Sequence, residues 1–360
     1  MKFAAGKKKP AAKKDPAGSE SAEVLAKLQK DFGAQTVRKG ARAREAVRIP
    51  TGIFPLDLAT GGGIPRERLS IIFGPEGSGK TTVLLKTIAQ AQAAGETAAL
   101  IDIENSYDPL WGARLGVDNE RLIVAQPDSA EQAVDITEGL MYAKDVGIIG
   151  LDSIAALTSE NEIQSGAEKM IVGGASMLTT KLMKKLGIAF SREAKREHYP
   201  ALVMLNQIRH KIGQMFGDPE TQPGGNMLRF TSSLTIRLYG KSVIVEAVNK
   251  THPAIKETSG IIKKWKVPIT GTVFKYDMLI LPQGKRPVGY TESWATVSNY
   301  LRDLGDLGHG DKGKGWVCLG NKFDKLDEIE EMYRSDPLFM QLCQQTIFEK
   351  AKRIYEASDD

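Results

Sequence analysis

The chain has 360 residues, 41% hydrophobic and 26% charged, so it can bury a full core and is not disordered, collagen-like or coiled-coil over most of its length. Forty-nine Lys and Arg against 44 Asp and Glu leave +5 at pH 7, which permits a polyanionic partner without identifying one. Cys318 and Cys343 lack a paired spacing, four histidines are scattered, and no apolar run reaches the roughly 18 residues of a membrane span; this excludes a disulfide framework, a structural zinc site and a transmembrane segment.

In chain order, residues 1–20 read as a solvated basic arm of Lys, Ala, Pro and Gly, which either touches nucleic acid or only aids solubility. The start has charge without the apolar stretch of a secretory signal, so a cytoplasmic protein is expected. Within residues 21–45, Ala22, Leu25, Leu28 and Phe32 recur at helical spacing and form one apolar stripe that needs a cover. From 46 to 284, apolar runs at Leu69–Phe73, Ala98–Ile103, Leu122–Ala125, Gly147–Leu151 and Ala201–Leu205 alternate with helical stretches at Thr81–Ala93, Ala130–Ala143 and Met177–Lys195. Unbroken apolar runs suit strands buried on both faces, which predicts an α/β fold with a mostly parallel, twisted central sheet. Ser233–Leu238 and Val243–Val248 alternate and read as antiparallel additions. Residues 285–360 form a small C-terminal α+β domain with a terminal helix over Pro337–Tyr355.

The sharpest motif is GPEGSGKTT: Gly74, Pro75, Glu76, Gly77, Ser78, Gly79, Lys80, Thr81 and Thr82, between a strand-like run and a helical one. Glycines let backbone N–H groups curl around phosphate oxygens, and the following helix adds the positive end of its dipole. Lys80 is placed to reach the β- and γ-phosphates of ATP and Thr81 to ligate Mg²⁺. Asp152 ends the run VGIIGLD, where a strand-end carboxylate holds Mg²⁺ through water. Glu104 and Asp102 end a further run, and either can serve as the base that takes a proton from water or as a structural acceptor; periodicity does not choose.

Taken in order, GPEGSGKTT, LIDIENSYDP, GLDSIAALT and LNQIRHKIGQMFGDPETQPGGNMLRF resemble the successive blocks of the RecA family of DNA strand-exchange ATPases, from about Val24 to Gly284. LAKLQKDFGAQTV is similar to the helix and strand by which family members dock on a neighbouring protomer. After Gly284, GWVCLGNKFD and DPLFMQLCQQ look more like the viral, UvsX-type branch, which suggests a phage origin and a bacterial host cytoplasm. The resemblance implies a RecA-type P-loop ATPase core with a short N-terminal oligomerisation helix. It also implies that Glu104 is the general base, that Gln207 senses the γ-phosphate, and that Asp108 and Trp111 sit on the adenine, Trp replacing the family's Tyr. Where bacterial relatives carry a Lys-x-Lys pair that reaches the neighbour's ATP, AVNK is read as offering Val248 and Lys250, with Lys256 as a candidate substitute.

Residues 206–228 suit a DNA-gripping loop on their own chemistry: Arg209 and Lys211 for phosphates, apolar Ile212, Met215 and Phe216, and a PGGN turn. By resemblance Ile212 inserts between bases, while Arg209, Lys211, Gly224, Gly225 and Asn226 hold the backbone. A first loop spans 160–174, where Met170 and Val172 compete for the inserting position, and Thr180 and Lys184 match backbone contacts on the helix that follows. The ending EASDD lacks a long acidic tail, so autoinhibition by one is not expected. The implied function is ATP- and Mg²⁺-dependent pairing and strand exchange by a filament on single-stranded DNA. Its implied partners are homologous duplex DNA, further copies of the chain at ATP-bearing interfaces, a single-strand-binding protein and a loading mediator. A RecA-core helicase motor and a non-catalytic recombination mediator are the alternatives: forked-duplex unwinding marks the first, absence of DNA-stimulated ATP turnover the second.

Overall fold

The structure is a computed structural model that describes residues 20–34, 37, 46–156, 180, 183–185, 200–210, 220–221, 225–243, 254–283, 286–310 and 313–358. The expected first helix, α1 (Glu20–Phe32), has acidic residues in its first turn and Lys30 in its last, matching the helix dipole. Gly33 follows at φ 88° and terminates it. None of its residues is buried, and Val24, Leu28 and Phe32 are exposed.

The described residues from 46 onward make a second unit. A short antiparallel pair, β1 (Arg48–Ile49) and β2 (Ile64–Pro65), brackets α2 (Phe54–Thr60). The central sheet is assembled from β3 (Leu69–Gly74), β4 (Thr97–Asp102), β5 (Leu122–Ala125), β6 (Val146–Asp152) and β7 (Ala201–Gln207), with α3 (Lys80–Ala93), α4 (Pro109–Arg114) and α5 (Ala130–Met141) among the connections. After the two-residue pair β8 (Arg209–His210) and β9 (Glu220–Thr221) come α6 (Gly225–Thr231), β10 (Leu234–Val243), β11 (Ile255–Trp265), β12 (Val273–Leu279) and β13 (Thr291–Glu292). The nine strands lie in the order β13-β12-β11-β10-β3-β7-β6-β4-β5.

Alternate residues of each parallel strand feed opposite layers, as the pleat requires. Ile72, Leu100, Ile148 and Val203 pack with Leu84, Leu85 and Ile88 of α3. Ile71, Ala99, Ile149 and Leu202 pack with Ala133, Val134 and Met141 of α5. Burial of each such aliphatic side chain contributes about 1.5–3 kcal/mol, so both faces of the sheet are held firmly and the strand ends are fixed in space.

One expectation needs correction. Ser233–Leu238 is not an antiparallel addition: β10 runs parallel to β3, pairing Leu234 with Ser70 and Arg237 with Phe73. The antiparallel layer begins one strand later, with β11 and β12, which the sequence reading did not anticipate. Each of these strands is buried on one side only, and their apolar pattern is correspondingly weak. Residues 244–248 and most of Met177–Lys195 lie outside the described residues.

Beyond β13, α7 (Trp294–Asp303), a small sheet of β14 (Leu307–His309), β15 (Trp316–Cys318) and β16 (Asn321–Phe323), α8 (Leu326–Ser335) and α9 (Pro337–Ser358) share a third core. It gathers Trp294, Val297, Leu301, Ile329, Tyr333 and Ile347, together with Phe54 and Leu58 of α2. Cys318 and Cys343, unpaired by spacing, are both buried in it as free thiols.

Candidate active site

The loop after β3 wraps the start of α3. Gly77 and Gly79 take φ 66° and 95°, a region costly for any residue with a Cβ. No side chain caps α3 at Gly79, so the helix presents its first N–H groups and positive end to the loop interior. The Ser78 hydroxyl is buried without a hydrogen-bond partner among the described residues. Lys80 lies over this cradle and donates to the Gly74 and Pro75 carbonyls at 3.2 and 2.8 Å. Burial lowers its pKa, against the pull of Asp152, Glu104 and Glu76.

The neighbouring strand presses on this loop. A Cβ on Gly240 would stand 2.8 Å from the Ser78 Cα, and one on Gly74 would stand 2.5 Å from the Leu238 carbonyl oxygen. The sequence reading missed Gly240. Its signal, a glycine within an alternating strand, marks close backbone approach.

The ends of three adjacent parallel strands deliver the remaining polar groups, in the crevice at the carboxyl ends where α/β sheets bind ligands. The Thr81 hydroxyl donates to Asp152 at 2.7 Å. Burial, with Glu104 and Asp102 adding repulsion against the Thr81 hydrogen bond, raises the Asp152 carboxyl to about 6. Asp102 is buried and accepts from Ser106 N, Tyr107 N and Gln126 Nε2 at 3.0, 3.1 and 3.2 Å, so its oxygens organise the turn after β4. Glu104 instead is exposed at the crevice, where it accepts from the Ser153 hydroxyl and, at 3.2 Å, from Gln207 Nε2. Ser153 is a further group that sequence reasoning missed.

Trp111 borders a cavity of about 270 Å³ whose walls include Gly77, Gly79, Lys80, Thr81, Thr82, Ser242, Lys256, Met278 and Ile280. Trp111, Met278 and Ile280 supply apolar surface at this cavity, and the glycine loop supplies donors. Asp108 caps α4, accepting from Leu110 N and Trp111 N at 2.8 and 3.3 Å, and thereby orients the helix that carries Trp111. Among the described residues no group of three or more His, Cys, Asp or Glu is placed to hold a metal alone. The Thr81 hydroxyl and the Asp152 carboxylate are oxygen donors of the kind a hard cation takes, and two of them would leave most of its shell to other oxygens.

Of the expected DNA-contacting residues, Lys211, Ile212 and Gly224 lie outside the described residues, as do Met170, Val172, Val248 and Lys250. The Arg209 backbone pairs with Thr221, and Gly225 and Asn226 begin α6. Thr180 is half-buried, Lys184 is exposed, and the adjacent Lys185 bridges to Asp135 and Glu138 at 2.7 and 3.3 Å.

At the opposite end of β10 and β11 stands a Lys-x-Lys pair that the sequence reading passed over, Lys264 and Lys266 around Trp265. Lys264 donates to the carbonyls of Arg229 and, at 3.1 Å, Phe230; Lys266 donates to Phe230 at 2.6 Å. Both ammonium groups thus rest on the negative C-terminal end of α6. Trp265 and Phe230 beside them are 48% and 70% exposed, large apolar surface left open next to cations. No described helix is long and apolar enough to cross a membrane.

The profile of the RecA N-terminal domain family matches residues 20–274. The chain is 43% identical over 320 residues to "Protein RecA" of Nocardia farcinica, covering 86% of this chain and 89% of that one. It is 33% identical over 338 residues to "Protein RecA" of Aquifex aeolicus, covering 93% and 91%. With "Protein RecA" of Symbiobacterium thermophilum the identity is 41% over 229 residues, and the match spans 62% of this chain and 64% of that relative.

Proposed function

The chain belongs to the RecA family, and we propose that it performs ATP-dependent homologous pairing and strand exchange on single-stranded DNA as a homo-oligomeric filament, in recombination and repair. The observation that carries this reading is the convergence of Lys80, Thr81, Asp152, Glu104 and Gln207 on one crevice at the carboxyl ends of β3, β6, β4 and β7. In it the glycine loop and Lys80 bind the ATP phosphates, and Thr81 and Asp152 would hold Mg²⁺, which would neutralise phosphate charge. Glu104, with Ser153 and Gln207 on its carboxylate, accepts a proton from the attacking water.

Gln207 stands at the root of the segment 206–228, so a change at its amide on losing the γ-phosphate reaches the loop that grips DNA. Arg209, Lys211, Ile212, Gly224, Gly225 and Asn226 in that loop, together with Thr180 and Lys184, hold the strand by backbone contacts and apolar insertion while base pairing reads the sequence. Trp111 stacks on the adenine.

The family's Lys-x-Lys role falls to Lys264 and Lys266, which reach the nucleotide of an adjoining protomer once they leave the α6 carbonyls. The exposed stripe of α1 docks on that neighbour. The UvsX-type pattern of the segment after Gly284 supports membership of the viral branch, with a single-strand-binding protein and a loading mediator as further partners.

Electron microscopy and ATP turnover with single-stranded DNA test the reading together. Helical filaments with a non-hydrolysable ATP analogue and DNA-stimulated turnover are expected. Both should be lost in Lys80→Ala, and ATP-dependent pairing at normal yield by that variant contradicts the scheme.

A further inference from the structure

Strand β11 lays a row of side chains across the phosphate loop. In register, Lys256 stands between Ser242 of β10 and Met278 of β12, and two residues on, Thr258 stands between Gly240 and Tyr276. Because side chains on a strand alternate, these two rows share one face of the sheet. That face is the one against the loop: Gly240 meets the Ser78 backbone, and the Thr258 hydroxyl lies 3.8 Å from where a Cβ on Gly79 would be. The Lys256 ammonium is 3.8 Å from the corresponding point on Gly77, and Ser242, Lys256 and Met278 all border the cavity.

The surroundings of this ammonium are hostile to a cation. It is half-buried, and among the described residues it has neither a hydrogen bond nor an ion pair. It faces the positive end of α3, and it repels Lys80, whose own pKa it lowers. Burial lowers the Lys256 pKa as well, and no carboxylate offsets that. Lys80, by contrast, has two carbonyl acceptors and three nearby carboxylates. An unpaired cation held beside a second cation and a helix N-terminus is stabilised only by an anion arriving between them.

We infer that Lys256 is a phosphate-binding residue for the nucleotide held by its own chain, a second cation acting in cis across the glycine loop from Lys80. This rests on the nucleotide reading given above and refines it. Lys256 does not reach toward a neighbouring protomer as a substitute for the Lys-x-Lys pair, because its ammonium is already committed to the loop of its own chain. Its position also gives the chain a means of preferring phosphate-rich nucleotides, since two ammonium groups on one phosphate chain gain with each added negative charge.

The test is binding of fluorescent ATP, ADP and AMP analogues to the wild-type protein, Lys256→Met and Lys256→Arg, alongside melting temperature without nucleotide. Lys256→Met should lose about tenfold or more in ATP affinity, less in ADP and least in AMP, with a flatter salt dependence. Without nucleotide its melting temperature should be unchanged or higher, because a repelled cation has been removed. Lys256→Arg should recover most of the affinity.

Equal ATP affinity in wild type and Lys256→Met overturns the inference and leaves the nucleotide reading standing. Failure of the wild type to bind any of the three analogues overturns that reading itself. Mixing Lys256→Met with Lys80→Ala protomers separates the directions. Restored nucleotide binding in the mixture assigns Lys256 to the neighbour's site and overturns action in cis, while no restoration supports it.

Discussion

The two ends of the parallel sheet place lysines alike, on backbone carbonyls, in different surroundings. At the carboxyl end of β3, Lys80 rests on the Gly74 and Pro75 carbonyls of its own loop. At the far end of β10 and β11, Lys264 and Lys266 rest on the Arg229 and Phe230 carbonyls that close α6. In both places ammonium groups donate to backbone carbonyl oxygens. The difference lies in what surrounds them. The first end is a packed crevice with its own base, hydroxyl and carboxylates; the second is an open patch of cations beside Trp265 and Phe230 with no cradle of its own. On the proposed reading the first end holds the nucleotide within one chain and the second offers its cation pair to a neighbour. Lys264 and Lys266 contact the end of α6, which begins within segment 206–228, so on that reading they would link the seam between protomers to the loop assigned to DNA.

Substitutions that affect only one end should separate these roles. Glu104→Gln should lower ATP turnover about 10²- to 10⁴-fold, the range for a lost general base, while nucleotide binding and filament assembly persist; single-turnover hydrolysis beside a binding titration checks this. Replacing Lys264 and Lys266 together by Met should do the reverse: own-site nucleotide binding is retained, and ATP-dependent assembly is weakened by about 2–5 kcal/mol, the cost of removing a buried interfacial charge, as read by sedimentation. If that variant assembles normally, the patch is not the seam.

Gly240→Ala sharpens the contrast at the packed end. A Cβ 2.8 Å from the Ser78 Cα forces the backbones apart, and a cost of about 1–3 kcal/mol in thermal or denaturant unfolding is expected, with weaker nucleotide binding and an unaltered lysine pair. The smallest effect is that of pH. The folded-state Asp152 carboxyl, raised to about 6, keeps a proton that the unfolded chain has already lost, so its contribution to stability is present in acid and fades as pH rises toward 6. The proton and the cation compete for the same oxygens, so Mg²⁺-dependent ATP binding should be roughly fourfold weaker at pH 5.5 than at 7.5 by titration calorimetry.

The phosphate loop was legible because its chemistry is contiguous: nine residues carry the glycines, the lysine and the hydroxyl, and a strand-like run precedes them. Asp152 and Glu104 were legible as carboxylates at the ends of apolar runs, where a buried strand stops. The choice between Asp102 and Glu104 was not, because they stand two residues apart at the end of one apolar run, and only the fold shows that Asp102 closes β4 while Glu104 lies in the turn beyond it; three donors around Asp102 separate them. Lys256, Gly240 and the pair at 264 and 266 were hidden for another reason. β11 and β12 are half-exposed strands of weak alternation, and a residue on them gains meaning only through register with β10.

What the sequence determined by itself is thus the nucleotide chemistry and the parallel core, since both are written in local spacing and in runs of apolar residues that water expels. The tertiary structure alone decided which cations face the glycine loop and which face the opposite rim. Pairing β10 parallel to β3 turns one face of the following strands onto the phosphate loop and carries their far ends to the opposite rim. Long-range strand register, set by the packing of both faces at once, leaves no mark in any short stretch of chain.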